Sequence, residues 1–162
     1  MNYANVLGEA KGKFGAWTAW YVLGEAATGY AVRAQLAPDL TVNPFTDTDI
    51  YGAVKEMNST QRPAGFDGAA RKIHTPRSVY WWQPPSDTRD AAVIASIAER
   101  VRRFLNDDWS YVGLLVEVRH PPCTLCGESR VTSAGLWGIE SDSDDGYVIE
   151  TLGDLVNEAK DE

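Results

Sequence analysis

The sequence predicts one α+β domain over residues 1–162, with an antiparallel or mixed sheet and helices packed mainly on one face. The length of 162 residues suits a single domain. Hydrophobic residues make up 44% of the chain and include six tryptophans, a content that disordered chains lack. Helical and strand patterns follow one another in the order ββ-α-β-α-ββ-α. Because they do not alternate strictly, an all-parallel sheet is not expected.

Three segments of the first half have the composition of β-strands. Residues 14–23 are rich in aromatic and β-branched side chains, which favour strands. Residues 30–36 alternate, so that every second side chain lies on one apolar face. Residues 24–29, with a glycine at each end, predict a turn between these two strands. Residues 78–83 predict a third strand, which two prolines terminate.

One helix is predicted in the first half, over residues 47–57. Three apolar residues share one side of this segment at helical spacing, and Thr46 is the predicted N-cap residue. Residues 58–77 follow and are rich in Gly, Pro, Ser and Asn without any periodicity. Long ordered loops in compact domains are often functional, so this irregular segment is a candidate working surface.

Two longer helices are predicted in the second half. Residues 87–106 place apolar side chains at i, i+3 and i+4 spacing, and Ser86 or Asp87 can serve as the N-cap residue. Residues 144–160 have a second apolar stripe, with two aspartates in the first turn, where the helix dipole favours negative charge. Each helix therefore has one face suited to packing on a sheet.

Residues 109–119 and 130–140 predict two strands that pair antiparallel. Four apolar residues alternate along the first of these strands. The connection, residues 120–129, contains two prolines and a glycine, which predicts an elongated hairpin loop. Cys123 and Cys126 are therefore expected at the end of this hairpin.

The negative charge is concentrated at one end of the chain. The formal net charge is −8, although residues 1–139 contain 14 acidic and 14 basic residues. Residues 140–162 contain nine acidic residues and one lysine. Such a segment repels nucleic acid and attracts basic protein surfaces. The alternative is a solvated acidic helix that only aids solubility.

Cysteine content and apolar patterning predict a cytoplasmic protein with no membrane contact. The two cysteines lie three positions apart and form no disulfide framework, so nothing indicates secretion. Residues 1–13 lack the apolar stretch of a signal peptide. The longest apolar runs are too short to span a bilayer.

The pair Cys123 and Cys126, followed by Gly127, is the most specific local motif. Zinc prefers about four sulfur or nitrogen ligands, and this spacing supplies two. His120 and His74 are the two histidines of the chain and could complete the set, with His120 the nearer in sequence. Alternatively, the pair is half of a site shared by two chains. The loose spacing favours two free thiols and no bound cofactor.

Tryptophans are candidate contact residues. In a strand, Trp81 and Trp82 point to opposite faces, so one is expected in the core and the other at the surface. An exposed tryptophan beside prolines is a typical anchor for a protein partner, and both residues are candidates for this role. Trp17 and Trp20 are three positions apart, so in a strand they too would point to opposite faces. Trp137 is predicted to pack in the core.

The sequence contains basic and aromatic residues of the kind that bind nucleic acid directly, but the net negative charge of the chain disfavours such binding. Basic residues cluster at positions 71–77 and 100–103, and aromatic residues follow the first cluster. Sequence-independent binding of single strands uses this combination of basic and stacking side chains. The net charge and the acidic C-terminal segment argue against it.

No complete catalytic motif is present, and the sequence predicts that the protein is not an enzyme. The glycine-rich phosphate-binding motifs and the G-x-S-x-G nucleophile motif are absent. Pro122-Cys123-x-x-Cys126 matches half of the zinc-deaminase signature, but the required His-x-Glu is missing. The alternative is an uncharacterised enzyme with a cryptic site near His74, His120, Cys123 and Cys126.

Residues 95–160 resemble a group of small acidic proteins encoded by phages and prophages. A helix runs into Asn-Asp-Asp-Trp at residues 106–109, and the string Leu-Trp-Gly-Ile-Glu at residues 136–140 is the specific part. The hairpin with its prolines and cysteines departs from the short polar hairpin of that group. The resemblance implies an accessory gene of a mobile element, of the kind that inhibits host defence or redirects host machinery. It carries over no catalytic residues.

The resemblance implies a phage or mobile-element protein, and together with the charge pattern it predicts one that binds and inhibits a host protein in the host cytoplasm. The partner would have a basic surface that handles nucleic acid, as in a defence complex, and the acidic segment would imitate DNA in the manner of an anti-CRISPR or antirestriction protein. A zinc-stabilised dimeric regulatory module is a further alternative. Besides Trp81 and Trp82, the predicted contact residues are Glu140, Asp142, Asp154, Glu158, Asp161 and Glu162.

Overall fold

The fold is α+β, as predicted, and contains two antiparallel sheets. The computed structural model describes residues 3–23, 29–45, 48–57 and 61–162. The chain divides into two compact units, each with its own buried apolar cluster. Unit 1 is formed by Met1–Asp39 and Tyr111–Glu162, and unit 2 by Leu40–Ser110. The single domain that the length predicts stays a prediction.

Each unit contains one sheet. Unit 1 has four strands in the order β1-β2-β6-β7, and unit 2 has three in the order β3-β5-β4. In chain order the elements are α1 (Tyr3–Gly12), β1 (Tyr21–Leu23), β2 (Tyr30–Pro38), α2 (Thr48–Tyr51), β3 (Ala53–Glu56), β4 (Arg71–His74), β5 (Val79–Gln83), α3 (Ala91–Leu105), β6 (Tyr111–Arg119), β7 (Val131–Glu140) and α4 (Asp145–Asp161).

The core of unit 1 joins one face of its sheet to α1 and α4. Val116 and Val118 of β6 are fully buried and alternate with less buried residues, because successive side chains of a strand point to opposite faces. The predicted helix over residues 144–160 is confirmed as α4. Its predicted apolar stripe lies in this core: Val148, Leu152, Leu155, Val156 and Ala159.

The hairpin of the second half is also confirmed. β6 and β7 pair antiparallel, from Tyr111 opposite Glu140 to Arg119 opposite Val131. The predicted strand at residues 30–36 is β2, which pairs with the other edge of β6. The cysteines lie between the paired strands in sequence, in the loop at the hairpin end.

The helix α1 was not predicted from the sequence. Its buried side consists of Val6, Leu7 and Ala10, all at most 2% exposed. Only two of the ten residues of α1, Val6 and Leu7, are large aliphatic residues, which is too few to distinguish a helix from an irregular segment by periodicity alone. The helix is stabilised by burial against the sheet, as expected for short helices.

The predicted strand at residues 14–23 is regular only over β1. The amides of Gly15 and Thr18 donate to the carbonyls of Leu36 and Ala34, at 2.7 and 2.9 Å. Three residues of one segment therefore lie alongside two residues of β2, which breaks the strand pattern. The predicted turn at residues 24–29 falls outside the described residues, apart from its last glycine.

Glu9 connects α1 to the segment that leads into β1. Its carboxylate accepts hydrogen bonds from Lys13 Nζ at 2.7 Å, from the hydroxyl of Tyr21 and from the amide of Ala19 at 3.0 Å. These donors, with Lys13 the strongest and Tyr21 next, lower the pKa of Glu9 from its ordinary value of 4.5 to about 2. The ionised form therefore holds the irregular segment against the helix.

The predicted helix at residues 47–57 is wrong beyond its first turn. The helix α2 ends at Tyr51, and β3 begins at Ala53. Gly52 separates them in a left-handed conformation, with φ of 76°, a conformation that commonly ends helices. The predicted N-cap residue, Thr46, lies outside the described residues.

The segment predicted to be irregular, residues 58–77, contains the strand β4. It pairs with β5, which confirms the strand predicted at residues 78–83. Only Ile73 among the four residues of β4 is buried, so the sequence offers almost no apolar signal for this edge strand. Residues 58–60 lie outside the part of the chain that the structure describes.

The core of unit 2 is built around Trp82. This residue is 0% exposed, and its indole Nε1 donates to the carbonyl of Tyr51 at 2.7 Å. The helix α3 packs on it through Val101 and neighbouring apolar residues, which confirms the predicted stripe. The helix begins later than predicted, because Asp90, rather than Ser86 or Asp87, accepts from the amides of its first turn.

No helix within the described ranges is long and apolar enough to cross a bilayer.

Candidate functional site

The outer face of α4 carries a row of four acidic residues. Glu150, Asp154, Glu158 and Asp161 are exposed and spaced by three or four residues, so they lie on one side of the helix. The buried stripe of α4 occupies the opposite side. Carboxylates four residues apart lie about 6 Å apart along the helix axis. This row is called the acidic ridge below.

The charge of the acidic ridge is not neutralised within the described part of the chain. None of its four carboxylates has a salt-bridge partner there. Lys160, the one base among residues 140–162, places its Nζ 5.6 Å from the centre of the Tyr30 ring. This cation–π contact draws the lysine to the sheet instead of to the neighbouring acids.

Three of the predicted acidic contact residues lie off the ridge. Glu140 ends β7 and is half-buried, and Asp142 is exposed in the turn before α4. Glu162 forms the C-terminal cap of α4, and its carbonyl accepts from Arg130 at 2.9 Å. The structure therefore brings together Asp154, Glu158 and Asp161, and it adds Glu150 to them.

A second surface is the outer face of the sheet of unit 1, where arginines lie against tryptophans. The guanidinium carbon of Arg33 lies 4.8 Å from the ring centre of Trp17 and 4.7 Å from that of Trp20. The guanidinium carbon of Arg119 lies 4.1 Å from the Trp20 ring. Arg33 also pairs with Glu117 on the neighbouring strand, at 2.6 Å.

The irregular path of residues 15–20 explains why both tryptophans reach Arg33. In a regular strand, Trp17 and Trp20 would point to opposite faces. The amide of Thr18 donates to Ala34 and Tyr21 lies opposite Val32, so this segment has one extra residue between Thr18 and Tyr21, which changes the parity as a β-bulge does. Both rings therefore lie against the same guanidinium group.

Trp137 belongs to this outer face and not to the core, which corrects the prediction. Its side chain is 51% exposed, and its ring lies over Gly113 of β6. The register of β6 and β7 shifts between Val112 and Leu114, so Gly113 lies at an irregularity. We call Trp17, Trp20, Arg33, Arg119 and Trp137 the tryptophan–arginine face.

The pair of tryptophans in unit 2 divides between core and surface, as strand alternation predicts. Trp82 is the core residue, so it is not available to a partner. Trp81 is half-buried, and the Nζ of Lys72 lies 5.3 Å from its ring centre. Trp81 is thus the member that could contact a partner.

The basic clusters of unit 2 are partly neutralised. Arg77 pairs with Asp107 at 2.6 Å, and Arg102 pairs with Glu99. The guanidinium carbon of Arg100 lies 3.9 Å from the ring centre of Trp109. These contacts remove part of the positive surface that binding of nucleic acid would need.

The cysteines form a tight turn at the end of the β6–β7 hairpin. The amide of Cys123 donates to the carbonyl of Glu128, and the amide of Gly127 donates to the carbonyl of Cys123, both at 2.8 Å. Hydrogen bonds from the amides of Cys126 and Leu125, and from the Cys126 thiol, lower the pKa of the Cys123 thiol. Both thiols are exposed.

The histidines do not join this turn. The Nε2 of His120 lies 2.8 Å from the hydroxyl oxygen of Thr132, and its ring packs edge-on against Tyr30. His74 belongs to unit 2, whereas His120 and the cysteines belong to unit 1. Within the described ranges, no group of three or more His, Cys, Asp or Glu residues is arranged to hold a metal ion.

A cavity of about 300 Å³ in unit 1 is lined mainly by apolar side chains, with Lys11 and Glu140 as its charged members. Lys11 is already paired with Asp145 at the start of α4. None of the residues suggested for a cryptic catalytic site lines this cavity.

Comparison with protein-family models finds no match, and comparisons with curated proteins and with solved structures find no significant similarity. The resemblance to phage-encoded proteins therefore stays a prediction.

Sequence reasoning missed Arg33 and Arg119 as members of a surface. The alternation along β6 contains the signal, because Leu115, Glu117 and Arg119 must face away from the buried valines. The long-range pairing of Arg33 with Glu117 could not be found in the same way. This pairing depends on the position of β2 beside β6, and the two strands are about eighty residues apart in sequence.

Proposed function

We propose that this protein binds a host protein and inhibits it by occupying a basic surface that normally binds nucleic acid. The observation that carries the proposal is the acidic ridge: four carboxylates on one side of a helix, without salt-bridge partners in the described part of the chain. A nucleic-acid strand also presents a regular row of negative charges. A row of carboxylates about 6 Å apart along a helix offers a comparable pattern.

The helix beneath the ridge is well suited to holding these charges in place. Its opposite side is buried in the core of unit 1, with Leu152 and Val156 at 0% exposure. The carboxylates therefore project from a packed element instead of a flexible tail. Fixed charges of one sign attract a complementary surface and raise the association rate.

The type of partner is inferred from this charge pattern and from the resemblance to phage-encoded proteins. Restriction and CRISPR effector complexes contain basic channels for nucleic acid, and the resemblance to phage-encoded proteins implies an anti-defence role. Inhibition requires no chemistry from this chain. The protein would act by competing with nucleic acid for the channel, which is consistent with the predicted absence of enzymatic activity.

The tryptophan–arginine face favours a second contact with a protein partner. Tryptophan and arginine dominate the energetically important residues of protein interfaces. Because the Arg33 side chain is paired with Glu117 and enclosed by two rings, it is a poor ligand for phosphate. This face and the acidic ridge lie on opposite sides of the unit 1 sheet, so they can be tested separately.

The test measures displacement of fluorescent duplex DNA from a panel of purified restriction and CRISPR effector complexes. Neutralising the ridge by Asp154→Asn, Glu158→Gln and Asp161→Asn should reduce inhibition of the sensitive complex, mainly through a slower association rate. The difference should shrink with added salt, because screening shortens to about 8 Å at physiological ionic strength. Trp137→Ala tests the other face, where loss of an anchor costs on the order of 2 kcal/mol and raises the dissociation rate.

A matched control changes three exposed acids elsewhere: Asp87→Asn, Asp108→Asn and Glu128→Gln. It alters the net charge by the same amount and should leave inhibition unchanged. The proposal fails if the ridge variant displaces DNA as well as the parent at low salt, or if the control loses as much activity as the ridge variant.

A further inference from the structure

The turn at the end of the β6–β7 hairpin has no role in the proposed function. It contains Cys123 and Cys126 with both thiols exposed, and Leu125 between them is 95% exposed. Nothing in the described part of the chain covers this turn. The turn is nevertheless ordered, because its backbone amides and carbonyls form hydrogen bonds with one another.

Backbone hydrogen bonds close residues 123–128 into a tight turn. The amide of Cys123 donates to the carbonyl of Glu128 at 2.8 Å, and both thiols of the turn are exposed. Gly127 has φ of 73°, a conformation that glycine adopts easily, and its amide closes the turn on the Cys123 carbonyl at 2.8 Å. Two exposed cysteines at this spacing in a closed turn can supply two of the four ligands of a structural zinc site.

We propose that Cys123 and Cys126 bind one zinc ion together with the same two residues of a second copy of this chain. Structural zinc sites are almost always tetrahedral, and four cysteines form one of the common ligand sets. One turn supplies two thiolates, and the described residues supply no third ligand nearby. A two-fold symmetric pair of turns supplies four.

The charge of the turn supports a second copy as the source of the missing ligands. Residues 119–130 contain two arginines and one glutamate, which leaves each hairpin end with one positive charge. Zinc with four thiolates carries two negative charges, so two hairpin ends neutralise it. Arg130 at the base of this loop donates to the main-chain oxygen of Glu162 at 2.9 Å, so the acidic end of α4 lies beside the base of the loop and offsets part of this positive charge.

The base of the loop is anchored, which would fix the direction of the turn. A Cβ added at Gly29 would lie 3.1 Å from the Cβ of Pro121, so the loop packs closely on the residue that precedes β2. The amide of His120 donates to the carbonyl of Arg130 at 2.7 Å and extends the pairing of the two strands.

The test uses the full-length protein, reduced and stripped of metal with a chelator, and then titrated with zinc chloride. We expect about one zinc ion per two chains after desalting, together with a doubling of mass in sedimentation. The variants Cys123→Ser and Cys126→Ser should each reduce the retained zinc at least about tenfold and remain monomeric. Thr124→Ala, in the same turn, should behave as the parent.

Thermal unfolding of each zinc-free variant shows whether it is folded, and the exposed position of both thiols predicts that it is. The proposal is overturned by one zinc per monomeric chain, by a dimer that forms equally without zinc, or by failure to retain zinc. Retention of iron in place of zinc would also overturn it. Substitution of cobalt should give the visible absorption of a tetrahedral thiolate site in the parent and not in the cysteine variants.

Discussion

Gly52 shows how a single residue determines the course of unit 2. It lies between α2 and β3 with φ of 76°, where L-residues are strained. A Cβ at this position would lie 2.0 Å from the carbonyl oxygen of Gln83 on the paired strand β5. Both the conformation and the space therefore require glycine.

Substitution Gly52→Ala should destabilise the protein by more than about 2 kcal/mol. Alanine is strained in the left-handed conformation at this position, and its Cβ would also force the backbone of β5 to shift. Gly65→Ala is the matched control. Gly65 has φ of 89°, but an added Cβ would meet nothing within 4 Å, so strain alone should cost about 1 kcal/mol. Urea unfolding measures both values, and equal losses would contradict the proposed clash.

Glu9 gives a pH dependence whose sign follows from its environment. Because its pKa falls from 4.5 to about 2 on folding, its hydrogen bonds stabilise the protein above pH 4.5. This contribution is lost progressively as the pH falls towards about 2. Glu9→Gln should therefore be less stable than the parent at pH 7, with a smaller difference at pH 3.

Urea unfolding at the two pH values tests this expectation. Glu150→Gln is a suitable control, since that carboxylate has no salt-bridge partner among the described residues. A difference between Glu9→Gln and the parent that stays constant from pH 7 to pH 3 would contradict the role assigned to the Glu9 carboxylate.

At the scale of elements, the irregularity between β6 and β7 determines where Trp137 lies. The register shift between Val112 and Leu114 allows the ring to lie over Gly113, on the outer face of the sheet. Gly138 follows with φ of 79°, and its amide donates to the buried Asp39 at 3.1 Å. The alternation of a regular strand cannot predict this placement, because a bulge changes the parity of every later residue.

The variant Gly113→Ala should destabilise the protein by about 1 kcal/mol, since its Cβ would lie 2.3 Å from the Trp137 ring and displace it. In the Trp137→Ala background, the same substitution should cost much less. Thermal unfolding of the two single variants and the double variant gives the coupling energy. Additive effects would show that the ring does not lie over Gly113 in solution.

The elements differ in how far their sequences predict them. The stripe of α4 and the alternation of β2 and β6 are long enough to fix both type and bounds within a few residues. The prediction of a helix over residues 47–57 was wrong because Ile50, Val54 and Met57 match a helical period by chance. Gly52, which ends α2, lies between the first two of them. β4 has one buried residue, so only its pairing with β5 defines it as a strand.

At the scale of the molecule, charge and hydrophobic burial are distributed unequally. Residues 1–139 are formally neutral, whereas residues 140–162 carry the net charge of −8. The two units have separate apolar clusters, one extending from β2 and β6 to α4 and the other centred on Trp82. The acidic ridge and the cysteine turn both belong to unit 1, so the proposed binding and the proposed zinc site depend on the same folded unit.

The sequence alone determined the α+β class, the hairpin of β6 and β7, the helix α4 with its acidic outer face, and the position of the cysteines at the hairpin end. Each of these follows from local periodicity or spacing, which depends only on residues close together in the sequence. Only the tertiary structure decided that Trp17 and Trp20 share Arg33, that Trp137 lies outside the core, and that His120 packs on Tyr30 and away from the thiols. These arrangements depend on bulges and on contacts between strands far apart in sequence, and side-chain parity beyond a bulge is set by the register of pairing and not by the residues themselves.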